Sequence, residues 1–324
     1  MSLEKVGDGY GSVGGEFERY HRGFVSQGKL WLFAKKYFEQ PTHNWGHYVT
    51  FQGSYALSFC LEGKTWNRID IPAVSNEENL AEELFVANDN IYMLLFTNFG
   101  AVEVKSLHKW NGESFVPVYI EAPQAVTGLE PTSRVEFFAA ISANDGPEVY
   151  FVCNGEGIKV YKLTLNDDSA CIEHLTDIDE ETNGIRGQAV FAYTDGKEVA
   201  VGFGVHGCGF RWERSSFFAV DINTKAARCI EVPGDYDSAP KFCFSGTQAL
   251  SVHPECGSWI HATGSNQVGM CDSKYDGSVW KLTNIFTSPE WVKIDGEIPE
   301  GGVIVPYKNE FYNVGQDEVT KFTV

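Results

Sequence analysis

A chain of 324 residues, 43% hydrophobic and 14% aromatic, carries enough apolar surface for one large domain or two ordinary ones and is too apolar to be disordered. Its formal net charge of −19, from 44 acidic against 25 basic residues, repels phosphate backbones, and with no basic patch along the chain a nucleic-acid partner is excluded. The amino terminus lacks the apolar run of a signal peptide and no segment approaches roughly eighteen consecutive apolar residues, so no membrane contact is expected and the cytoplasm or nucleus is the expected compartment.

The 33 glycines and 12 prolines are spread along the chain, as they are when many short strands are joined by turns. A glycine-rich lead, Gly7 to Gly15, is followed by Glu16 to Tyr20, which alternates like a short strand. Gly23 to Ser26, Leu30 to Ala34, Leu57 to Leu61 and Trp66 to Ile71 then read as four strands. The last two form a hairpin: Leu57, Phe59 and Leu61 alternate with smaller or polar residues, Glu62-Gly63-Lys64-Thr65 turns, and Pro72 stops the second strand. A second set runs through Leu84 to Ala87, Ile91 to Phe96, Val102 to Leu107 and Phe115 to Ile120, with Asn111-Gly112 as a tight turn. Just before it, Glu77 to Glu83, with Asn76 as its cap, is the only stretch with helical character.

Third, fourth and fifth sets follow. They run over Val135–Ile141, Val149–Cys153, Ile158–Leu165 and Cys171–Leu175; over Gln188–Tyr193, Val199–Phe203, Phe217–Ile222 and Arg228–Val232; and over Ala249–His253, Trp259–Ala262, Val279–Leu282 and Trp291–Ile294. A sixth set, Val303–Val305, Phe311–Val314 and Val319–Phe322, lacks its fourth strand. A four-stranded antiparallel sheet cannot bury an apolar face alone, and a ring of such sheets leaves only short edges. The expected fold is therefore all-β: a single-domain, six-bladed β-propeller of four-stranded antiparallel blades at about 22–72, 80–123, 133–178, 186–233, 246–299 and 300–324, closed by an N-terminal strand at 16–20 that completes the last blade.

With these repeats laid out, the chain resembles the kelch-type propellers. Their pattern sets an aromatic before the third strand and a Trp at the opening of the outer strand, as Tyr55 and Trp66 stand in the first repeat. Phe217, Asp221 and Thr224 echo it in the fourth repeat, and Trp280 and Trp291 in the fifth. The family's Gly-Gly pair is absent; Ala34-Lys35 and Thr97-Asn98 stand in its place. The resemblance implies a scaffold whose loops gather at one mouth.

Three connections there are long. Lys35–Gly53 carries Tyr37, Phe38, His43, Trp45 and His47; Val205–Arg214 carries His206, Arg211 and Trp212; Thr263–Gly277 carries Lys274 and Tyr275. Exposed Trp, Tyr and Arg supply large contact area with few rotamers, so these ten residues are the expected binding rim. His43 and His47 are spaced by four in a loop rather than on a helix; His206, Cys208, His253, Cys256 and His261 could converge across the fourth and fifth repeats as zinc ligands, but His253 and His261 on adjacent strands read better as core residues, and no metal is expected. Eight cysteines without a Cys-x-x-Cys pair read as buried small hydrophobes. No Gly-x-Ser-x-Gly elbow or phosphate loop is present, and no cofactor is expected.

The expected function is accordingly a non-enzymatic, monomeric scaffold that binds a protein or peptide, a basic one given the charge. The alternative is an enzyme, a hydrolase, lyase or metal-dependent oxidase, with its site in the propeller mouth. A sugar-binding propeller with one pocket per blade is disfavoured by the unequal loops.

Overall fold

A computed structural model describes residues 3–11, 18–41, 47–72, 80–97, 104–121, 146–155, 157–178, 187–205, 216–230, 250–253, 258–261, 265–267, 273–275, 278–297, 303–307 and 310–323. Among them all regular structure is β-strand, and no helix is long and apolar enough to cross a membrane.

After β1 (Glu4–Asp8), the strands β2 (Glu18–Ser26), β3 (Lys29–Pro41), β4 (His47–Cys60) and β5 (Thr65–Ile71) form a four-stranded antiparallel meander. The next meander is β6 (Leu80–Ala87), β7 (Asn90–Thr97), β8 (Val104–Trp110) and β9 (Phe115–Glu121). Both open with two-residue turns whose central residues have positive φ, Gln27 and Gly28 at 52° and 69°, Asn88 and Asp89 at 48° and 55°, the geometry that matches the twist of the flanking strands. Then come β10 (Glu148–Gly155), β11 (Gly157–Leu165) and β12 (Ser169–Ile178). The outer strand β12 pairs in parallel with the end of β9, Ser169 opposite Tyr119 and Cys171 opposite Glu121, so these two units make one seven-stranded sheet. The expected strand at 135–141 lies outside the described residues.

A further four-stranded sheet holds β13 (Gly187–Thr194), β14 (Glu198–Val205), β15 (Ser216–Asp221) and β16 (Ala227–Ile230). Another holds β17 (Leu250–His253) and β18 (Ser258–His261), then, past the two-stranded ribbon β19 (Ser265–Gln267) and β20 (Ser273–Tyr275), β21 (Ser278–Thr283) and β22 (Glu290–Glu297). The last has the order β1-β25-β24-β23, with β23 (Val303–Tyr307), β24 (Glu310–Val314) and β25 (Glu318–Phe322).

The sheets are held by side chains that leave successive residues on opposite faces. On β3, Leu30, Leu32 and Ala34 pack with Val305, Tyr312, Val314 and Val319 of the last sheet, while Trp31 and Phe33 pack with Ile91, Met93, Leu95, Trp110 and Phe115 of the second. Burial on both faces explains the unbroken apolar run at 30–34. Leu30 and Leu32 are wholly buried, each contributing about 1.5–3 kcal/mol as an upper estimate. The same arrangement recurs where Phe85 and Leu94 meet Phe151 and Leu163, and where Tyr150 and Val160 meet Val201 and Phe218. The first strands β6, β2, β23, β17 and β13 follow one another in contact, β2 touching β6 and β23 and β17 touching β23 and β13, and β13 also touches β10. Gly23 is what lets β2 approach β23, since a Cβ there would stand 2.3 Å from Val305 Cγ2.

Four expectations need correction. The strand that completes the last sheet is Glu4–Asp8, with Glu4 opposite Lys321 and Asp8 opposite Glu318. Residues 18–20 of the expected closing segment instead begin β2, because their alternation continues without a break into the strand that pairs with β3. Leu80–Glu83 are extended, paired with Leu94–Thr97, so tertiary pairing overrides the helical signal. Finally, Cys171 and Cys229 are exposed and Cys60 is half-buried, since they stand near the ends or on the outer edges of their sheets.

Candidate functional site

In each meander the strands alternate in direction, so second-to-third connections leave from the same end as the links between sheets. The two-residue turns lie at the other end. There Ser26 Oγ donates to the Asp89 carbonyl (2.6 Å) and the Gln27 amide donates to Asp89 Oδ1 (3.0 Å), stitching neighbouring turns together.

At the connection end two of the three expected loops are built as strand extensions. β2 pairs with β3 only as far as Lys36 and β5 with β4 only as far as Ser54, yet β3 and β4 continue their ladder from Tyr37 opposite Phe51 to Pro41 opposite His47. A register shift between Lys36 and Tyr37, with Gly53 at φ 144°, marks where the ribbon leaves the sheet. The second is β19–β20, with Ser265 opposite Tyr275 and Asn266 opposite Lys274. Of the expected rim, Tyr37, Phe38 and His47 thus lie on one ribbon and Lys274 and Tyr275 on the other. His43, Trp45, His206, Arg211 and Trp212 lie outside the described residues.

Two carboxylates at this end were missed. Glu82 and Glu83 are half-buried at the start of β6, the first strand of its sheet. Leu84 and Val86 pack towards β2–β5 while Phe85 and Ala87 pack towards β10–β12, so alternation sets Glu82 on the first face and Glu83 on the second. The signal available in the sequence was the alternating Leu84–Ala87 run, which extends back through both glutamates.

Other acidic groups have structural partners. Glu148 accepts from the Tyr150 hydroxyl (3.0 Å) and pairs with Lys162; Glu310 accepts from the Tyr312 hydroxyl (3.0 Å) and from Lys321 Nζ (3.1 Å). The two trios occupy the same place in their sheets, a Glu-x-Tyr on one strand and a Lys opposite the Tyr. Hydrogen bonding from Lys162 holds the Glu148 carboxyl below its ordinary range, while burial, reinforced by the carboxylates, pushes both phenols far upward. Both tyrosines are buried in the cores between sheets, so these trios tie adjacent strands together beneath the surface.

Among the described residues no group of three His, Cys, Asp or Glu side chains converges as a metal site would require. His253 pairs with Ser258 and His261 with Leu250, which sets the two histidines at opposite ends of the β17–β18 pair. The kelch-pattern residues serve packing: Tyr55 is buried under the Arg68 guanidinium (4.0 Å to the ring centroid), and Trp66 Nε1 donates to the Asp8 carbonyl (2.9 Å).

No protein-family model and no curated protein matches the chain in sequence, and the kelch assignment is not supported. Solved structures do match in fold. The α-L-arabinofuranosidase Arb93A from Fusarium graminearum, solved with an iminosugar inhibitor, matches with a TM-score of 0.54 at 10% identity, over 100% of this chain and 98% of that one. The phage phi92 endosialidase matches with a TM-score of 0.51 at 8% identity, over 100% of this chain and 69% of that one. At such identities the likeness shows the fold alone, an all-β chain with propeller-like neighbours. It also corrects the expectation of a non-enzymatic scaffold, which was drawn from the architecture: both of these neighbours are enzymes.

Proposed function

We propose that this chain is a glycoside hydrolase on a six-bladed propeller, with its site at the end where the long ribbons emerge. The blades are β2–β5, β6–β9, β10–β12, β13–β16, the sheet of β17, β18, β21 and β22, and β23–β25 completed by β1. The observation that carries the reading is the end-to-end likeness to Arb93A, which takes in the whole of this chain and nearly the whole of that enzyme. Neither a lone domain graft nor a partial repeat match produces that. The series of neighbouring inner strands, β6, β2, β23, β17, β13 and β10, is what a ring of blades predicts over most of its circumference.

Glycoside hydrolysis needs two carboxyl groups, one to protonate the leaving oxygen and one to act as base or nucleophile. Glu82 and Glu83 start a first strand at the proposed end and are the first candidates. They leave β6 on opposite faces, so they do not form the pair together; whichever is catalytic takes its partner from a neighbouring blade.

The test is hydrolysis of a panel of aryl glycosides, led by the α-L-arabinofuranoside, and of sialic acid oligomers, read as released aglycone or reducing sugar. Turnover is expected on at least one substrate, with Glu82→Gln or Glu83→Gln lowering kcat by about 10²-fold or more at unchanged melting temperature. No turnover on any substrate rejects the reading, and turnover unaffected by both substitutions rejects the residue assignment.

A further inference from the structure

We propose that the last sheet binds a structural water molecule that bridges Asn313 and Thr320. The two residues stand directly opposite each other on β24 and β25, and each is only 3% exposed. Opposite side chains in an antiparallel pair come within reach of each other, yet neither Asn313 Oδ1 nor Thr320 Oγ1 has a hydrogen-bond partner among the described residues. Other buried hydroxyls are matched: Ser26 Oγ donates to the Asp89 carbonyl and Thr194 Oγ1 to the Glu198 carbonyl. Two orphaned oxygens side by side mark a site for a donor.

Alternation sets both on one face of the sheet. Their neighbours Tyr312, Val314 and Val319 pack with Leu30, Leu32 and Ala34, so Asn313 and Thr320 lie on the face away from that core. There the row across the four strands runs Ile304, Asn313, Thr320 and Lys5. The next row holds Phe311 opposite Phe322, whose rings stack at 5.5 Å and are almost wholly buried. Ile304 and the two phenyl rings offer no hydrogen bond, so the oxygens find no match in their own apolar neighbours.

The chemistry of the pair selects the occupant. An amide oxygen only accepts and a hydroxyl accepts or donates, so one water satisfies both. With bonds of about 2.8 Å at a near-tetrahedral angle it spans oxygens roughly 4.6 Å apart, the spacing of opposite side chains. Buried polar sites hold such waters where apolar ones stay dry. A calcium ion takes about six to eight oxygens, carboxylates among them, whereas Asn313 and Thr320 are neutral and no acidic cluster of that kind converges among the described residues.

The test is the sign of a stability change, together with a high-resolution crystal structure of the full chain. Thr320→Val keeps the shape of the side chain and removes its hydroxyl. If that hydroxyl holds a water shared with Asn313, the variant loses a hydrogen bond and is expected to melt several degrees below the parent. If the hydroxyl is buried with nothing to bind, removing it relieves a desolvated group; a raised or unchanged melting temperature therefore overturns the proposal. The crystal structure of the parent is expected to show one density peak about 2.7–3.2 Å from both oxygens, and it decides the matter if the variant fails to fold. No peak overturns the proposal, and so does a peak ringed by six or more oxygens at about 2.3–2.6 Å, which is a cation.

Discussion

An imidazole buried with one unmatched nitrogen makes the interior sensitive to acid at His108. The ring is 8% exposed on β8; Nε2 lies 2.9 Å from Ser106 Oγ, and Nδ1 has no hydrogen-bond partner among the described residues. Its cross-strand neighbours, Met93 and Pro117, offer no charge, and Trp110 on the same face of β8 is packed against Trp31 and Phe33. Burial holds the His108 pKa below its ordinary 6.5. The folded chain therefore keeps the ring neutral where the unfolded chain already binds a proton, and stability drops as pH falls below about 6.5, levelling off only below the depressed folded value. The melting temperature is expected to fall by several degrees between pH 7.5 and 5.5, and His108→Gln, which keeps a polar side chain without the titration, is expected to flatten that slope. An unchanged slope in the variant would place the acid sensitivity elsewhere. Tyr150 and Tyr312 differ in kind, since their hydroxyls are matched by Glu148 and Glu310 and contribute about 1 kcal/mol each.

The strands that close and extend the sheets were the least legible elements, and the reason is physical. Leu30–Ala34 was readable because both its faces meet neighbouring sheets. Tyr37–Pro41 and His47–Phe51 continue the same strands past the ends of β2 and β5, where β3 and β4 pair only with each other. The glutamates of β6 were hidden for a related reason: an acidic start with a capping Asn reads as a helix until long-range pairing decides otherwise. β1 has a single half-buried valine, Val6, and was passed over for the stronger alternation at 17–20. Its seating depends on glycine rather than on apolar pattern. A Cβ at Gly9 would stand 2.3 Å from the Gln316 carbonyl oxygen and 2.5 Å from the Glu318 amide nitrogen, backbone that cannot move aside cheaply. Gly9→Ala is expected to destabilise the chain by about 1–3 kcal/mol and to speed hydrogen exchange at Gly11 and Gly315 first. Uniform exchange across all sheets would mean that β1 is not held as a separate element.

At the scale of the whole molecule, closure joins the two ends of the chain. Glu4 pairs with Lys321 in register and by a 3.4 Å ion pair, Tyr10 enters the core shared with Tyr55 and Val319, and Trp66 binds the Asp8 carbonyl across to the next sheet. That contact is between residues more than three hundred positions apart, so it joins the first and last sheets at the cost of a long loop closure. The constraint is spatial rather than covalent, so what matters is that β1 be present beside β25, and not that it come first in the chain. Joining Lys-Phe-Thr at 321–323 to Leu3 by a short Gly-Ser linker and opening the chain at 166–168, an exposed turn between β11 and β12, keeps every strand pair while turning closure into a local hairpin. Such a permutant is expected to melt within a few degrees of the parent, since loop-closure entropy grows only slowly with length and the pair now left non-local, β11 with β12, is kept. The linear chain lacking residues 1–11 is expected to lose several kcal/mol and to associate through the bared edge of β25. If the permutant is as unstable as the truncation, the first and last sheets are held by the order of the chain and not by the strand beside β25.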